Sequence, residues 1–176
     1  MTEPRVAILM GSDSDLPVMR GASDVLARFD VAHEVRVLSA HRSPARTARY
    51  VEEAPGRGVR VFICGAGMSA HLAGVVAAHT ALPVIGVPLR SSAGLDGADA
   101  LYSTVMMPPG IPVATVAIGG AQNAGHLALR ILALGDAALA ERVAAYRAEM
   151  DAGVAAKNER LDALGLDAYL AQGGAR

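Results

Sequence analysis

The sequence predicts an α/β protein in which a parallel β-sheet is covered by helices on both faces. Five apolar runs of strand length recur along the chain, and segments with helical spacing and many alanines lie between them. The apolar runs are continuous instead of alternating with polar residues, which is typical of strands buried on both faces. Strand–helix alternation of this kind indicates a doubly wound sandwich.

The elements follow in order along the chain. The apolar runs predict five strands, namely RVAILM (5–10), AHEVRVL (32–38), RVFICG (60–65), LPVIGVPL (82–89) and IPVATVAIG (111–119). Helical spacing predicts seven helices, at 15–29, 44–54, 71–80, 98–105, 121–134, 137–156 and 162–170. A chain of 176 residues can bury one substantial core. We therefore expect a single domain over 1–176, with a C-terminal helical extension over about 136–171.

Composition restricts the function classes. A net charge of -1 offers no electrostatic footprint for nucleic acid or an anionic membrane. Cys64 is the single cysteine, which excludes an intrachain disulfide and a cysteine-based zinc site. No apolar stretch has membrane-spanning length and MTEPR does not resemble a signal peptide, so we expect a soluble cytoplasmic protein. The apolar fraction of 52% exceeds what a monomer of this size readily buries, which favours a homo-oligomer.

The predicted sheet also indicates where a ligand would bind. Open parallel sheets bind ligands beyond the carboxyl ends of their strands. In this chain those ends read GSDSD (11–15), SAHRSP (39–44), GAGMSAH (65–71), PLRSSAG (88–94) and GGAQN (119–123). Four of the five carry polar or glycine-rich chemistry that a plain connection does not need, so we expect a site where such loops converge.

The segment GSDSDLP supports two interpretations. Ser14 or Asp13 can cap a helix that has Pro17 in its first turn. Alternatively, free backbone N–H groups at this helix N-terminus bind an anion. Two aspartates would repel a phosphate that contacted the whole loop. The second interpretation therefore assigns the phosphate and the sugar of a ligand to different side chains. The hydroxyls of Ser12 and Ser14 then lie near a phosphate, and Asp15 accepts hydrogen bonds from ribose hydroxyls.

The segment SAHRSP supplies a cation. Arg42 offers a planar fork for a phosphate, and neighbouring Ser39 and Ser43 can donate hydrogen bonds. An imidazole titrates near neutrality, so the adjacent His41 can carry a proton during a reaction. The alternative is a helix start in which Ser43, before Pro44, is the cap, with His41 and Arg42 simply solvated.

The segment GAGMSAHLAG lacks the Lys-Ser/Thr pair of a nucleotide P-loop. Its glycines either pack a strand–helix turn closely or, at Gly65 and Gly67, expose backbone N–H groups to a ligand. His71 lies in the first turn of the predicted helix, where the helix dipole disfavours a cation, so we expect it to act as a neutral hydrogen-bonding group. The other histidines have no metal-ligand spacing, and we expect no metal and no cofactor.

Taken together, four segments closely resemble the N5-carboxyaminoimidazole ribonucleotide mutases, the class I members of the phosphoribosylaminoimidazole carboxylase family of purine biosynthesis. They are MGSDSDLP (10–17), SAHRSP (39–44), GAG…AHLAG (65–74) and MPPGIPVATVAI (107–118). The resemblance covers roughly residues 6–134. It implies a flavodoxin-like, three-layer αβα sandwich with about five parallel strands, an octameric assembly and a cofactor-free reaction. In that reaction a carboxylate migrates from the exocyclic nitrogen of the ribotide to C4 of its imidazole, with carbon dioxide as the intermediate.

The resemblance also implies roles for individual residues. Ser12, Asp15 and Arg42 match nucleotide-binding positions, with Ser14 and Ser39 close by. His41 matches the catalytic proton carrier, and His71 matches a position that helps to hold the carboxylate or carbon dioxide. We further expect substrate contacts from the loop around His71, at Gly67, Met68, Ser69, Ala70 and Leu72.

Departures from the family pattern border the expected carbon dioxide pocket. Met68 and Ser69 replace two small residues, Ala73 replaces a common proline, and Met106 replaces a typical glutamine. The class II carboxylases, which use free carbon dioxide, are the close alternative. They typically have lysine at the position of Arg42 and a GRSN-like loop in place of GMSAH, so both features favour the mutase.

Two alternatives come from other classes of protein. An FMN-binding electron carrier would share the fold, but flavin sites usually stack aromatic rings on the flavin, and this chain has no tryptophan. A receiver-like signalling module could bind Mg²⁺ with Asp13 and Asp15, but no lysine precedes Lys157 to act as its usual partner.

Overall fold

The computed structural model describes residues 3–173. Its strands are β1 (Val6–Met10), β2 (His33–Val37), β3 (Val61–Gly67), β4 (Val84–Leu89) and β5 (Ala114–Thr115). Its α-helices are α1 (Leu16–Arg28), α2 (Pro44–Glu53), α3 (Leu72–Ala78), α4 (Ala98–Val105), α5 (Ala121–Ala133), α6 (Ala137–Leu164) and α7 (Leu166–Ala171). Short 3-10 helices cover Asp13–Asp15 and Ala54–Arg57.

The five strands form one parallel sheet in the order β2-β1-β3-β4-β5, which confirms the predicted fold class. Val6 of β1 is in register with His33 on one side and with Val61 on the other. From β1 the chain goes to β2 on one side and then crosses over to β3, β4 and β5 on the other side, so the strand order reverses between β1 and β3. The loops that follow these two strands diverge to opposite faces, and the resulting crevice is where ligands bind in such folds.

Each face of the sheet carries its own apolar core. In β1, Val6, Ile8 and Met10 point into the cluster formed with α1 and α5, whereas Ala7 and Leu9 point into the cluster formed with α2 and α3. All five are 0% exposed. Full burial of an aliphatic side chain contributes about 1.5–3 kcal/mol. The strand that ends at the crevice is thus held firmly from both sides.

Strand β5 is shorter than the sequence predicts. Residues 111–119 were expected to be extended, but only Ala114 and Thr115 pair regularly with β4. The backbone N–H of Ile111 is turned back to Pro108 O (3.2 Å), and Pro112 has no N–H to donate to a ladder. Val116 N still donates to Gly86 O (3.0 Å), so the segment follows the sheet edge without regular pairing.

Helix α6 is longer than the sequence predicts. It was expected to stop near residue 156, but it continues to Leu164 and is followed after Gly165 by α7. The intervening KNERL (157–161) contains good helix formers and neither glycine nor proline. The break falls instead at Gly165, whose positive φ of 74° is a backbone conformation that glycine adopts readily and other residues rarely do.

The start of α6 is fixed to the rest of the fold. The Asp136 side chain accepts a hydrogen bond from Leu139 N (3.0 Å) and forms an ion pair with Arg5 Nη1 (2.7 Å). Leu139 is the buried residue of this helix, and residues 147–160 are all exposed. Within residues 3–173, none of the helices combines the length and the hydrophobicity needed to cross a bilayer.

Candidate active site

A cavity of about 490 Å³ opens at the carboxyl edge of the sheet, where the loops after β1, β2, β3 and β4 meet. It brings together nearly all the site residues that the sequence predicts: Ser12, Ser14, Asp15, Ser39, His41, Arg42, Gly67, Met68, Ser69, His71 and Leu72. Ala70 does not line the cavity, and its side chain is 1% exposed. The switch point of the sheet therefore holds a polar cavity.

The loop after β1 is organised by a capping box. Ser12 Oγ accepts a hydrogen bond from Ser14 N (3.4 Å), and Asp15 Oδ2 accepts one from Ser12 N (3.2 Å). Ser12 is therefore the cap, and the expectation that Ser14 or Asp13 fills this role is wrong. The cap belongs to the 3-10 turn that precedes α1, which starts only at Leu16. The hydroxyl of Ser14 instead donates to Ser12 Oγ (2.9 Å) at the cavity wall.

Asp15 is a partly buried carboxylate with few donors. Burial raises the pKa of its carboxyl above the ordinary 3.8, and the neighbouring charge of Asp13 adds to this. The hydrogen bond from Ser12 N and the charge of Arg42 lower the pKa again without cancelling the rise. A carboxylate in this position gains from further hydrogen-bond donors. The hydroxyls of a sugar are suitable donors.

Arg42 is held over the crevice by hydrogen bonds to two loops. Its Nη2 donates to Gly11 O (2.8 Å), and its backbone N donates to Ser39 Oγ (3.1 Å). The hydroxyl of Ser43 donates to Ser39 O (3.0 Å) and does not cap α2, so it contributes to the loop and not to the cavity. The Arg42 guanidinium is thus positioned before any ligand binds.

His41 and His71 form a hydrogen-bonded pair inside the cavity. His41 Nε2 lies 2.8 Å from His71 Nδ1, and the rings are nearly perpendicular with centroids 5.0 Å apart. Because one nitrogen must donate and the other accept, this contact holds one proton. His71 precedes α3, which begins at Leu72 and not at His71 as expected. The loops after β2 and β3 thus meet at two imidazoles.

Met68 forms part of the cavity wall in a strained conformation. Its φ of 54° is left-handed, which a residue other than glycine rarely adopts, and its side chain is 47% exposed. The preceding Gly67 lies tightly against β4, since an added Cβ would be 3.3 Å from Leu89 O. The β3 loop therefore turns sharply between these two residues. That turn directs the chain toward Ser69 and His71.

The cavity has one wall that sequence reasoning did not assign. Arg90, Ser91 and Ser92, directly after β4, line it together with Gly11, Ala40 and Ala66. The polar segment PLRSSAG was a signal, but only the strand order places it beside the β3 loop. GGAQN (119–123) lines a separate cavity of about 480 Å³ with Arg20 and Asp24. Among residues 3–173, no three His, Cys, Asp or Glu side chains are grouped as metal ligands.

Comparison with known proteins agrees with this geometry. The family described as AIR carboxylase matches residues 5–153, which include every residue of the cavity. The chain belongs to the AIR carboxylase family. The resemblance inferred from the four sequence segments is thereby confirmed.

Relatives within the AIR carboxylase family cover the chain almost end to end. A Synechocystis protein named N5-carboxyaminoimidazole ribonucleotide mutase is 53% identical, with 96% of each chain covered. A Mycobacterium tuberculosis protein of the same name is 53% identical, with 92% of each covered. The crystal structure of Treponema denticola PurE superposes with a TM-score of 0.81 at 31% identity, covering 90% of this chain and 98% of that one.

Proposed function

We propose that this protein is an isomerase of de novo purine biosynthesis that converts N5-carboxyaminoimidazole ribonucleotide to 4-carboxy-5-aminoimidazole ribonucleotide. The observation that carries the proposal is the hydrogen-bonded His41–His71 pair, which shares one cavity with Arg42 and the serine-rich turn. A proton-transfer group thus lies beside groups suited to a sugar phosphate. The names of the family's relatives support the same reaction.

The polar wall of the cavity binds the ribotide in this proposal. Arg42 makes charge-assisted hydrogen bonds to the phosphate, and Ser12, Ser14 and Ser39 donate hydroxyl hydrogens around it. Asp15 accepts hydrogen bonds from the ribose hydroxyls, which compensates for its partial burial. These contacts are remote from the reacting ring. Their binding energy therefore orients the imidazole toward the histidines.

The reaction needs one proton carrier. The bond between the exocyclic nitrogen and the carboxylate carbon breaks, carbon dioxide leaves, and the nitrogen takes a proton. C4 of the electron-rich ring then attacks carbon dioxide, a carbon–carbon bond forms, and C4 loses its proton. One proton is gained and one is lost, so His41 gives a proton to nitrogen and recovers one from C4. Its exposed hydrogen bond to His71 is worth only about 0.5–1.5 kcal/mol and can be exchanged for the substrate.

The intermediate must stay in the cavity until C4 attacks. Ala40, Ala66 and Leu72 give the cavity apolar surface close to the two histidines, and carbon dioxide is a small uncharged molecule that suits such surface. His71 donates a hydrogen bond toward the departing carboxylate. The substrate itself closes the polar side of the cavity. The chemistry requires no metal, flavin or ATP.

The deciding experiment compares two substrates. Purified protein should isomerise the N-carboxylated ribotide directly, in buffer with chelator and without ATP, and the rate should be unaffected by added divalent metal. Aminoimidazole ribotide with bicarbonate should react far more slowly. The reverse order of rates would identify a class II carboxylase that uses free carbon dioxide. Loss of activity with chelator that metal restores would refute the cofactor-free mechanism.

We also propose a cytoplasmic homo-octamer in which residues 1–176 form one mutase domain. Exposed apolar side chains along α6 and α7 support assembly, namely Met150, Val154, Leu164, Leu166 and Leu170. A chain with this much exposed apolar surface gains from covering it with further copies. Light scattering at micromolar concentration should give eight times the 18.0 kDa chain mass. A monomer mass under those conditions would refute the octamer.

A further inference from the structure

We propose that Arg90 determines specificity for carboxylated ribotides by binding the carboxylate at the end of the cavity opposite Arg42. This role rests on the proposed function, because it assigns the second anionic group of the same substrate. Arg90 lines the cavity, but it is none of the residues to which the sequence analysis assigned a role in catalysis or substrate binding. Besides Arg42, it is the cavity's other arginine.

The strand order separates the two arginines across the crevice. Arg42 follows β2 and Arg90 follows β4, with β1 and β3 between them. Arg42 Nη2 reaches across to Gly11 O (2.8 Å), at the end of β1. Neighbouring strands lie about 4.8 Å apart, so two spacings separate the ends of β1 and β4 by about 10 Å. His71 follows β3, the strand between β1 and β4, and His41 reaches over from the loop after β2 to contact it. The order across the cavity is therefore cation, imidazole pair, cation.

An extended ribotide matches that order. Its phosphate and its carboxylate lie at opposite ends, with the ribose and the imidazole between them. With the phosphate at Arg42 and the ring at the histidine pair, the carboxylate points toward the β4 wall. Two separated cations therefore distinguish a ribotide with two anionic ends from one that has lost its carboxylate.

The guanidinium of Arg90 is available to a ligand. Its Nε lies 3.2 Å from Asp96 Oδ1, but the two side chains are 69% and 81% exposed. Such a surface pair contributes little and is readily exchanged. The stem of Arg90 is better fixed, because its Cγ packs where Gly97 leaves room for it, 3.3 Å from the position of an added Cβ. Arg42, in contrast, is already held by Gly11 O and Ser39.

The proposed contact acts on substrate and product, and not on the intermediate. A guanidinium fork fits a carboxylate in a bidentate arrangement, whether the carboxylate is on nitrogen or on C4. Carbon dioxide carries no charge, so Arg90 does not hold it. Loss of Arg90 should therefore raise KM and leave kcat nearly unchanged, since it removes ground-state binding.

The test measures binding separately from turnover. Arg90→Gln should weaken binding of the C4-carboxylated ribotide in calorimetry by about ten- to a hundredfold, the range for a hydrogen bond to a charged group. Binding of aminoimidazole ribotide, which has no carboxylate, should stay within about twofold. In the isomerisation assay, KM should rise by the same factor as the dissociation constant while kcat changes little.

Two control variants exclude indirect effects. Arg20→Gln removes another exposed, ion-paired arginine that lies outside this cavity and should change nothing. Asp96→Asn breaks the ion pair of Arg90 and should leave ribotide binding unchanged or tighter. The proposal is overturned if Arg90→Gln weakens both ribotides equally or neither, or if Asp96→Asn reproduces its effect. Failure of the wild-type protein to isomerise would refute the proposed function instead, because the binding comparison does not depend on turnover.

Discussion

Replacing His41 with asparagine should slow the chemical step without affecting the fold. The variant loses the contact between His41 Nε2 and His71 Nδ1, which joins two exposed side chains at 2.8 Å. A hydrogen bond of this kind contributes about 0.5–1.5 kcal/mol to stability at most. Neither ring belongs to the buried clusters on the two faces of the sheet. The fold and the binding of ribotide should therefore persist.

The effect on rate should be much larger than the effect on stability. A positioned acid–base group is worth about 10²–10⁴-fold in rate, equivalent to about 2.7–5.4 kcal/mol of barrier. We expect His41→Asn to lose kcat by that factor. His71→Asn should lose less and should release aminoimidazole ribotide, because carbon dioxide escapes before C4 attacks. A chromatographic assay that separates the three ribotides measures both quantities in one reaction.

One outcome would refute the assignment of the proton carrier. If His41→Asn kept a nearly normal kcat while His71→Asn were inactive, the proton would move through His71. Equal loss in both variants, with no aminoimidazole ribotide released, would show that the pair acts as one unit. Circular dichroism and calorimetric binding of ribotide confirm that each variant is folded.

Three further predictions concern binding and stability. Arg42→Ala should raise KM about ten- to a hundredfold, and Arg42→Lys should raise it less because the charge remains without the fork; an unchanged KM would place the phosphate elsewhere. Burial and the charge of Asp13 raise the pKa of Asp15, so the charged carboxylate lowers the stability of the fold above that pKa. Asp15→Asn should therefore increase the melting temperature at neutral pH, and it should weaken ribotide binding less than Arg42→Ala does. A lower melting temperature would contradict the predicted direction of the stability change. Gly86→Ala should cost about 1–3 kcal/mol in denaturant unfolding, because the added methyl meets Thr104 and lies 2.9 Å from Val113 Cγ1, whereas the control Gly56→Ala meets nothing within 4 Å and should be nearly neutral.

Local patterns predicted the fold well wherever burial determines structure. The run VAILM is apolar at every position because β1 is covered on both faces, and the structure buries all of it. Strand β5 and the end of α6 were predicted less well. Around β5 the residues are apolar because they pack beside the edge of the sheet, and not because they form a regular ladder of backbone hydrogen bonds. Pro112 limits that pairing further. At α6 the helix continues through Gly153 and ends only at Gly165, so a glycine in the sequence does not by itself mark the end of the helix.

The site was predictable where its residues are close in sequence and less so elsewhere. The types and spacing of residues in SAHRSP are sufficient to nominate Arg42 and His41. The identity of the cap was not predictable, because Ser12 and Ser14 have the same side chain and only backbone geometry separates them. Arg90 was missed for another reason. Which strand ends adjoin is a property of the whole sheet, and no short segment of the chain encodes it.

The exposed part of α6 should unfold locally more easily than the central sheet does. At about 1.5 Å per residue, its 28 residues extend about 42 Å, yet Leu139 near its start is the residue that is buried. A helix segment with no buried side chains opens locally at little cost, whereas the sheet opens only with global unfolding. Amide hydrogens over 147–160 should therefore exchange with deuterium long before those of β1 and β3. In the proposed octamer, further copies pack against α6, so exchange in that stretch should slow as protein concentration rises.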